Sequence, residues 1–187
     1  MKHIIVLVGE IGSGKGTVAD HIVAHYNASY HRFSSMLRDV ARRLYLPESR
    51  DVLISVSEIV RSKFGEGTLA NVMAKDVEYD DHELIIVDGA RRMADVEYLS
   101  KLEGYHLIYV TTTIETRYER VKNRGEKVDE KNMSFEQFKK DNERSTEVSI
   151  HEVASYAEKT INNDGTLEQL HAQVEALLTE YGLPKTK

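Results

Sequence analysis

The segment Gly9-Glu10-Ile11-Gly12-Ser13-Gly14-Lys15-Gly16-Thr17 leaves this chain the fewest choices. It has the phosphate-loop spacing of glycine, four residues, then Gly-Lys, with Gly16 where Ser or Thr usually stands and Thr17 directly after. Before it runs Ile4-Ile5-Val6-Leu7-Val8, a mostly β-branched stretch short enough for a buried strand, and a helical pattern begins near Lys15. Glycines without Cβ let a loop wrap a phosphate with its N–H groups. The following helix contributes the positive end of its dipole, and Lys15 a point charge. A dinucleotide fingerprint fits worse, because it needs glycine or alanine where Thr17 stands. Gly9, Gly12, Ser13, Gly14, Lys15, Gly16 and Thr17 therefore read as a nucleoside triphosphate site.

A length of 187 residues fits one domain over 1–187, with 41% hydrophobic and 30% charged residues as in ordinary globular chains. The absence of cysteine excludes a disulfide framework and thiolate metal sites, and suits a cytoplasmic protein. The first apolar run ends at Glu10, too short for a signal-peptide core or a membrane span, so no membrane partner is expected. A net charge of −6 argues against a general nucleic-acid binder. It also repels nucleotides at long range, but screening over roughly 8 Å in physiological salt leaves the decision to local cations.

Residues 4–9 form the first expected strand, and 15–27 a helix with Val18, Ile22 and Val23 on its apolar face. His21 and His25, four apart on that helix, are expected on a solvated face rather than on a metal. A short second strand over 29–33 leads into a helix over 34–44, capped by its serines, with Met36, Leu37, Val40, Ala41 and Leu44 as a core stripe. Two further helical patterns, 51–64 and 68–77, are separated by Gly65-Glu66-Gly67. So much helix between two strands exceeds a simple crossover and suits a substrate-binding insertion over about 35–80. Residues 83–89 make a third strand ending in Asp88, and the unbroken run Leu84-Ile85-Ile86-Val87 marks burial on both faces, as in a parallel sheet. A helix through Val96 and Leu99, a strand over 105–111 and a helix over 114–122 follow. The charged segment of about 123–145 suits a short lid. A strand over 157–162 and an amphipathic helix over 166–181 end the pattern, before a frayed tail. The sum is an α/β chain: a three-layer phosphate-loop NTPase fold around a five-stranded parallel sheet.

The cations gather where strands meet helices. Arg38 follows the second strand, Arg91 and Arg92 follow Asp88, and Arg117, Arg120 and Arg124 share a helix face after the fourth. Arg144 ends the charged segment. In a parallel sheet the strand carboxyl ends converge on one rim, with the phosphate loop among them. Arginine forks match phosphate oxygens, although a solvated basic stripe would also account for the set after strand four. Asp88 at a strand end suits Mg²⁺ held through water. With Gly16 supplying no hydroxyl, the ion would rest on nucleotide oxygens.

On these residues the chain resembles the nucleoside-monophosphate-kinase group of phosphate-loop kinases, which is related to adenylate kinase and dephospho-coenzyme A kinase. Gly12-Ser13-Gly14-Lys15-Gly16-Thr17 is similar to the adenylate-kinase loop, and Ser35-Met36-Leu37-Arg38 to the motif whose arginine grips the acceptor phosphate. Val87-Asp88-Gly89-Ala90-Arg91-Arg92 is similar to the third-strand motif, with either arginine on that phosphate. Arg120 and Arg124 resemble lid-edge arginines, and Arg144 the one on the lid's far side. Ile161-Asn162-Asn163-Asp164-Gly165 resembles the loop against adenine, which would place Asn163 and Gly165 at the nucleotide. Two departures stand out: Ser35 occupies the position of an acid, and the third-strand signature of dephospho-coenzyme A kinase is absent. The resemblance implies an ATP- and Mg²⁺-dependent kinase acting on a nucleoside or deoxynucleoside monophosphate, as a monomer or homodimer. Phosphorylation of a hydroxyl, with Asp39 or Asp88 as base, stays open. So does a nucleotide-dependent switch that binds a partner through residues 51–77.

Overall fold

The computed structural model describes residues 2–124, 133–143 and 145–186. Five strands, β1 (His3–Val8), β2 (Ala28–Arg32), β3 (Leu84–Asp88), β4 (Tyr105–Thr111) and β5 (Lys159–Asn162), form one sheet in the order β2-β3-β1-β4-β5. Every pairing is parallel. The phosphate loop therefore leaves the central strand, flanked by β3 on one side and β4 on the other.

Period-two alternation in β1 divides the core. Ile4, Val6 and Val8 point to one face, where they meet Leu69, Met73 and Val77 of α4 (Thr68–Tyr79) and Ile150 and Val153 of α8 (Ser145–Ala154). Ile5 and Leu7 point to the other face, against Val18 and Ile22 of α1 (Lys15–His25) and Leu170, Val174 and Leu178 of α9 (Leu167–Glu180). Because both faces are covered, β1 and β3 can be apolar without interruption.

The helical insertion comprises α2 (Phe33–Arg43), α3 (Arg50–Phe64) and α4. Here the structure corrects several expectations. Helix α2 begins at Phe33, ahead of the serines, and its first turn has no side-chain cap. Of the expected stripe, Ala41 is buried and Met36 and Leu37 are partly buried. Val40 and Leu44 are exposed, because α2 covers the edge strand with only one narrow side. The helix after β3 is a single turn, α5 (Met93–Val96), followed by a 3-10 turn (Leu99–Lys101).

After α6 (Ile114–Arg124), the charged segment holds a helix of its own, α7 (Phe135–Asn142), capped by Ser134. Phe138 is buried against Tyr118, with the Arg117 guanidinium over its ring. His21 is buried rather than solvated: its ring stacks on His171 of α9 at 3.8 Å and lies 4.5 Å from that of His25. Helix α9 covers that side of α1, which periodicity within α1 alone does not disclose. No helix among the described residues is long and apolar enough to cross a membrane.

Candidate nucleotide and phosphoryl-transfer site

The loop after β1 has a backbone suited to an anion. Gly12 has φ 80° and Gly14 has φ 102°, a region that side chains disfavour. A Cβ on Gly14 would also collide with the Asn163 amide. Gly14 caps α1 without a side-chain hydrogen bond, and no acid stands in the first turn of that helix. By contrast, Ser49, Ser134 and Thr166 cap α3, α7 and α9 through their hydroxyls. Neither a capping side chain from Gly14 nor a first-turn acid thus offsets the positive end of the α1 dipole. Lys15 Nζ donates to the carbonyls of Gly9 at 2.6 Å and Glu10 at 3.1 Å, so it is held folded over the loop. A triphosphate entering here replaces neutral acceptors with charged ones, whose hydrogen bonds are roughly twice as strong.

Among the described residues, most buried polar side-chain atoms without a hydrogen-bond partner lie around this loop: Glu10 Oε2, Ser13 Oγ, Asp88 Oδ1, Arg117 Nε and Arg120 Nη1, the others being the His21 ring nitrogens and Ser29 Oγ. Buried polar groups are ordinarily satisfied, so such a gathering marks a place arranged for something other than the chain itself. Arg120 leaves α6 toward the loop, and its Nη1 would lie 3.8 Å from a Cβ on Gly14. Its other nitrogen, Nη2, donates to the Asn163 carbonyl at 2.9 Å. Asn163 Nδ2 donates to the Ser13 carbonyl at 2.9 Å, joining the loop after β5 to the phosphate loop. That loop is pinned in turn by Asp164, which accepts from the Thr112 hydroxyl at 2.6 Å and the Thr113 N–H at 2.9 Å. These bonds, the Thr112 one foremost, hold the Asp164 carboxyl below its ordinary range. Gly165 precedes Thr166, whose hydroxyl and Gln169 form the capping box of α9.

Across β1, Asp88 ends β3 and accepts from the Tyr30 hydroxyl at 3.1 Å through Oδ2, leaving Oδ1 buried and unbonded. Burial foremost, with Asp88 adding to it, raises the Tyr30 phenol well above its usual value, so it stays protonated as the donor. The bare oxygen at a strand end suits Mg²⁺ reached through water. Among the described residues no cluster of three or more His, Cys, Asp or Glu could hold a metal by itself, so the nucleotide would have to supply the remaining ligands.

Arg38 donates to Ser34 Oγ at 2.8 Å and lies 3.6 Å from Glu48. Arg92 Nη1 donates to Glu66 at 3.1 Å. Arg91 and Arg92 follow Asp88 and Gly89 on the same loop. The structure thus sets Arg38, Asp88, Arg91 and Arg92 on the β2–β3 side of the phosphate loop, and Arg120 and Asn163 on the β4–β5 side. Arg117 is not part of a solvated stripe, since it is buried and donates to Asn142 Oδ1 at 2.5 Å. Asp39 is 72% exposed, pairs with Arg42 and lines a groove of about 380 Å³ with Tyr30, His31, Asp76 and Asp80. Its contacts lie with that edge groove and not with the loop. Arg144 lies outside the described residues, as does the side chain of Arg124 and much of the expected lid. Sequence reasoning missed Glu10, whose buried carboxylate accepts from the Tyr109 hydroxyl at 2.9 Å, and Asn163's bond to Ser13. A charged residue inside a glycine-rich loop was the available signal for the first; the second spans 150 residues and has none.

A family model described as an AAA domain (AAA_18) matches residues 5–149. The chain belongs to this family. Proteins similar to this chain include UPF0200 proteins from Hyperthermus butylicus, 26% identical over 94% of this chain and 93% of that protein, and from Sulfurisphaera tokodaii, 28% identical over 94% and 95%. Solved structures with the same fold include the shikimate kinase of Acinetobacter baumannii in complex with shikimate (TM-score 0.56, 19% identity, covering 98% of this chain and 97% of that one). TT1252 from Thermus thermophilus is similar at TM-score 0.58 and 18% identity, covering 96% and 97%. The architecture of this AAA domain is that of the phosphate-loop kinases.

Proposed function

We propose that the protein transfers the γ-phosphoryl group of ATP to a nucleoside monophosphate or deoxynucleoside monophosphate. The observation that carries this is the division of cations across the central strand. Arg120, held by Asn163, serves the donor nucleotide, while Arg38 and either Arg91 or Arg92 serve the acceptor phosphate, with Lys15 between them. Asn163 and Gly165 form the wall against the donor base.

Phosphoryl transfer asks for alignment and charge neutralisation more than for covalent participation by the protein. As triphosphate enters, Lys15 gives up the Gly9 and Glu10 carbonyls for phosphate oxygens and stays with the phosphoryl group as it moves. The α1 N–H groups hold the β-phosphate, where charge builds as the terminal bond breaks. Mg²⁺ on Asp88 would neutralise the phosphate oxygens. An acceptor phosphate oxygen is already anionic at neutral pH, so no general base is required.

One observation favours a second reading, in which the acceptor is a hydroxyl: Asp88 Oδ1 is buried and unbonded on the acceptor side, the place a base would occupy. The deciding experiment incubates ATP, Mg²⁺ and the protein with a panel of ribo- and deoxynucleoside monophosphates. Conversion of an added monophosphate to its own diphosphate is the expected result; ATP turned over to ADP and inorganic phosphate, with every added monophosphate left unphosphorylated, would sink the monophosphate reading.

A further inference from the structure

Among the described ion pairs, Arg61 with Asp95 has both side chains buried, at 8% and 3% exposure, and joins residues 34 apart at 2.6 Å. Such pairs return little net stability, because desolvation offsets their attraction, and their better-attested use is to specify geometry. The bonding here does so in detail. Asp95 Oδ1 accepts from Arg61 Nη2, while Oδ2 accepts from the backbone N–H groups of Arg91 at 2.8 Å and Arg92 at 3.1 Å. Arg61 Nη1 donates to the Glu66 carbonyl at 2.7 Å, in the corner between α3 and α4, and the Glu66 carboxylate in turn receives Arg92 Nη1. One carboxylate and one guanidinium thus connect the insertion to the backbone that carries the acceptor-side arginines.

We propose that Arg61 and Asp95 are a positioning pair that makes the placement of the α3–α4 corner and the placement of Arg91 and Arg92 a single variable. The helical insertion is then not an independent flap. Its α3–α4 half cannot swing without breaking a buried, fully bonded ion pair or carrying the 89–92 loop along. Acceptor affinity is set through this pair, although neither member touches the acceptor. This step rests on the reading that Arg91 or Arg92 grips an acceptor phosphate; the mechanical coupling does not.

The test uses the full chain with Arg61→Lys, which keeps the charge but lacks the fork needed to reach Asp95, Glu66 O and Ser57 Oγ, the acceptor of Arg61 Nε at 3.3 Å, together. Amide hydrogen exchange without ligand should show Arg91, Arg92 and the first turn of α4 accelerating together, by a common factor of at least about tenfold. Ile85 and Ile86 in β3 should be unchanged, which separates local release from general destabilisation. With a monophosphate that the wild type phosphorylates, the acceptor KM should rise at least about tenfold while the KM for ATP stays within about twofold. The inference is overturned if the corner is released while Arg91 and Arg92 stay protected, if neither changes, or if both KM values rise alike. If no monophosphate in the panel is phosphorylated, the proposed function fails and the exchange pattern alone decides the coupling.

Discussion

The bond from Asn163 to Ser13 gives a sharp quantitative expectation, because the same bond is threatened from two sides. Asn163→Ala removes a buried donor and leaves the Ser13 carbonyl without it. An orphaned buried acceptor costs about 1–3 kcal/mol, so about 2 is expected. Gly14→Ala acts differently: at φ 102° a Cβ costs about 1–2 kcal/mol by itself. The new methyl also pushes the Asn163 amide away, adding the same loss of about 2 kcal/mol, for about 3–4 in all. In the double variant the bond is lost only once, so its total should also be about 3–4 kcal/mol, not the 5–6 of simple addition. The coupling of about 2 kcal/mol is well above the roughly 0.5 kcal/mol within which independent sites add. Urea unfolding at constant m-value measures all three changes. Additivity within about 0.5 kcal/mol would refute the claim that the loop after β5 braces the phosphate loop through this contact.

Two further outcomes are expected. Nothing lies within 4 Å of a Cβ built on Gly16, so Gly16→Ser should fit, and relieving a helical glycine should raise the melting midpoint by about 2–4 °C for up to about 1 kcal/mol. Its hydroxyl should also lower the Mg²⁺ concentration needed for half-maximal activity; a lowered midpoint would contradict the open space. For pH, burial foremost, with His171 and His25 adding to it and Glu175 opposing, lowers the His21 pKa below 6.5. The folded state therefore holds His21 neutral where the unfolded chain is protonated. This contribution is complete above about pH 6.5 and is lost as pH falls through the folded pKa, at up to about 1.4 kcal/mol per pH unit. Urea midpoints should drop between pH 7 and pH 5.5, and His21→Phe should flatten the drop; an unchanged slope in that variant would contradict the assignment.

Much of this architecture was legible in the sequence because it is written locally. The run Leu84-Ile85-Ile86-Val87 announces a doubly covered strand, and Gly12 and Gly14 announce a backbone no other residue adopts cheaply. Misreadings fell where tertiary contacts decide. Helix α2 starts at Phe33 because that ring is drawn into the core beside β3, overriding the capping preference of Ser34 and Ser35. Helix α7 lay inside a stretch read as polar lid, since Phe138 is one of few apolar residues there and its burial depends on Tyr118 and Arg117 of another helix. Within the candidate site, Lys15, Asp88 and Arg120 follow from motif and strand-end logic. Asn163 was named through the resemblance, but its bond to Ser13, 150 residues away, and the Arg61–Asp95 pair, 34 apart, leave no trace in short-range periodicity.

The central claim is that Lys15 and the α1 N-terminus bind a triphosphate and pass its terminal phosphoryl group to an acceptor on the Arg38 side. It is tested most directly by following ³²P from γ-labelled ATP into the monophosphate panel, with the wild type beside Lys15→Met. Labelled nucleoside diphosphate is expected from at least one acceptor in the wild type. Transfer should fall at least about a hundredfold in Lys15→Met, whose unfolding midpoint should stay close to that of the wild type. Near-normal transfer by the variant, or label released only as inorganic phosphate by the wild type, would contradict it.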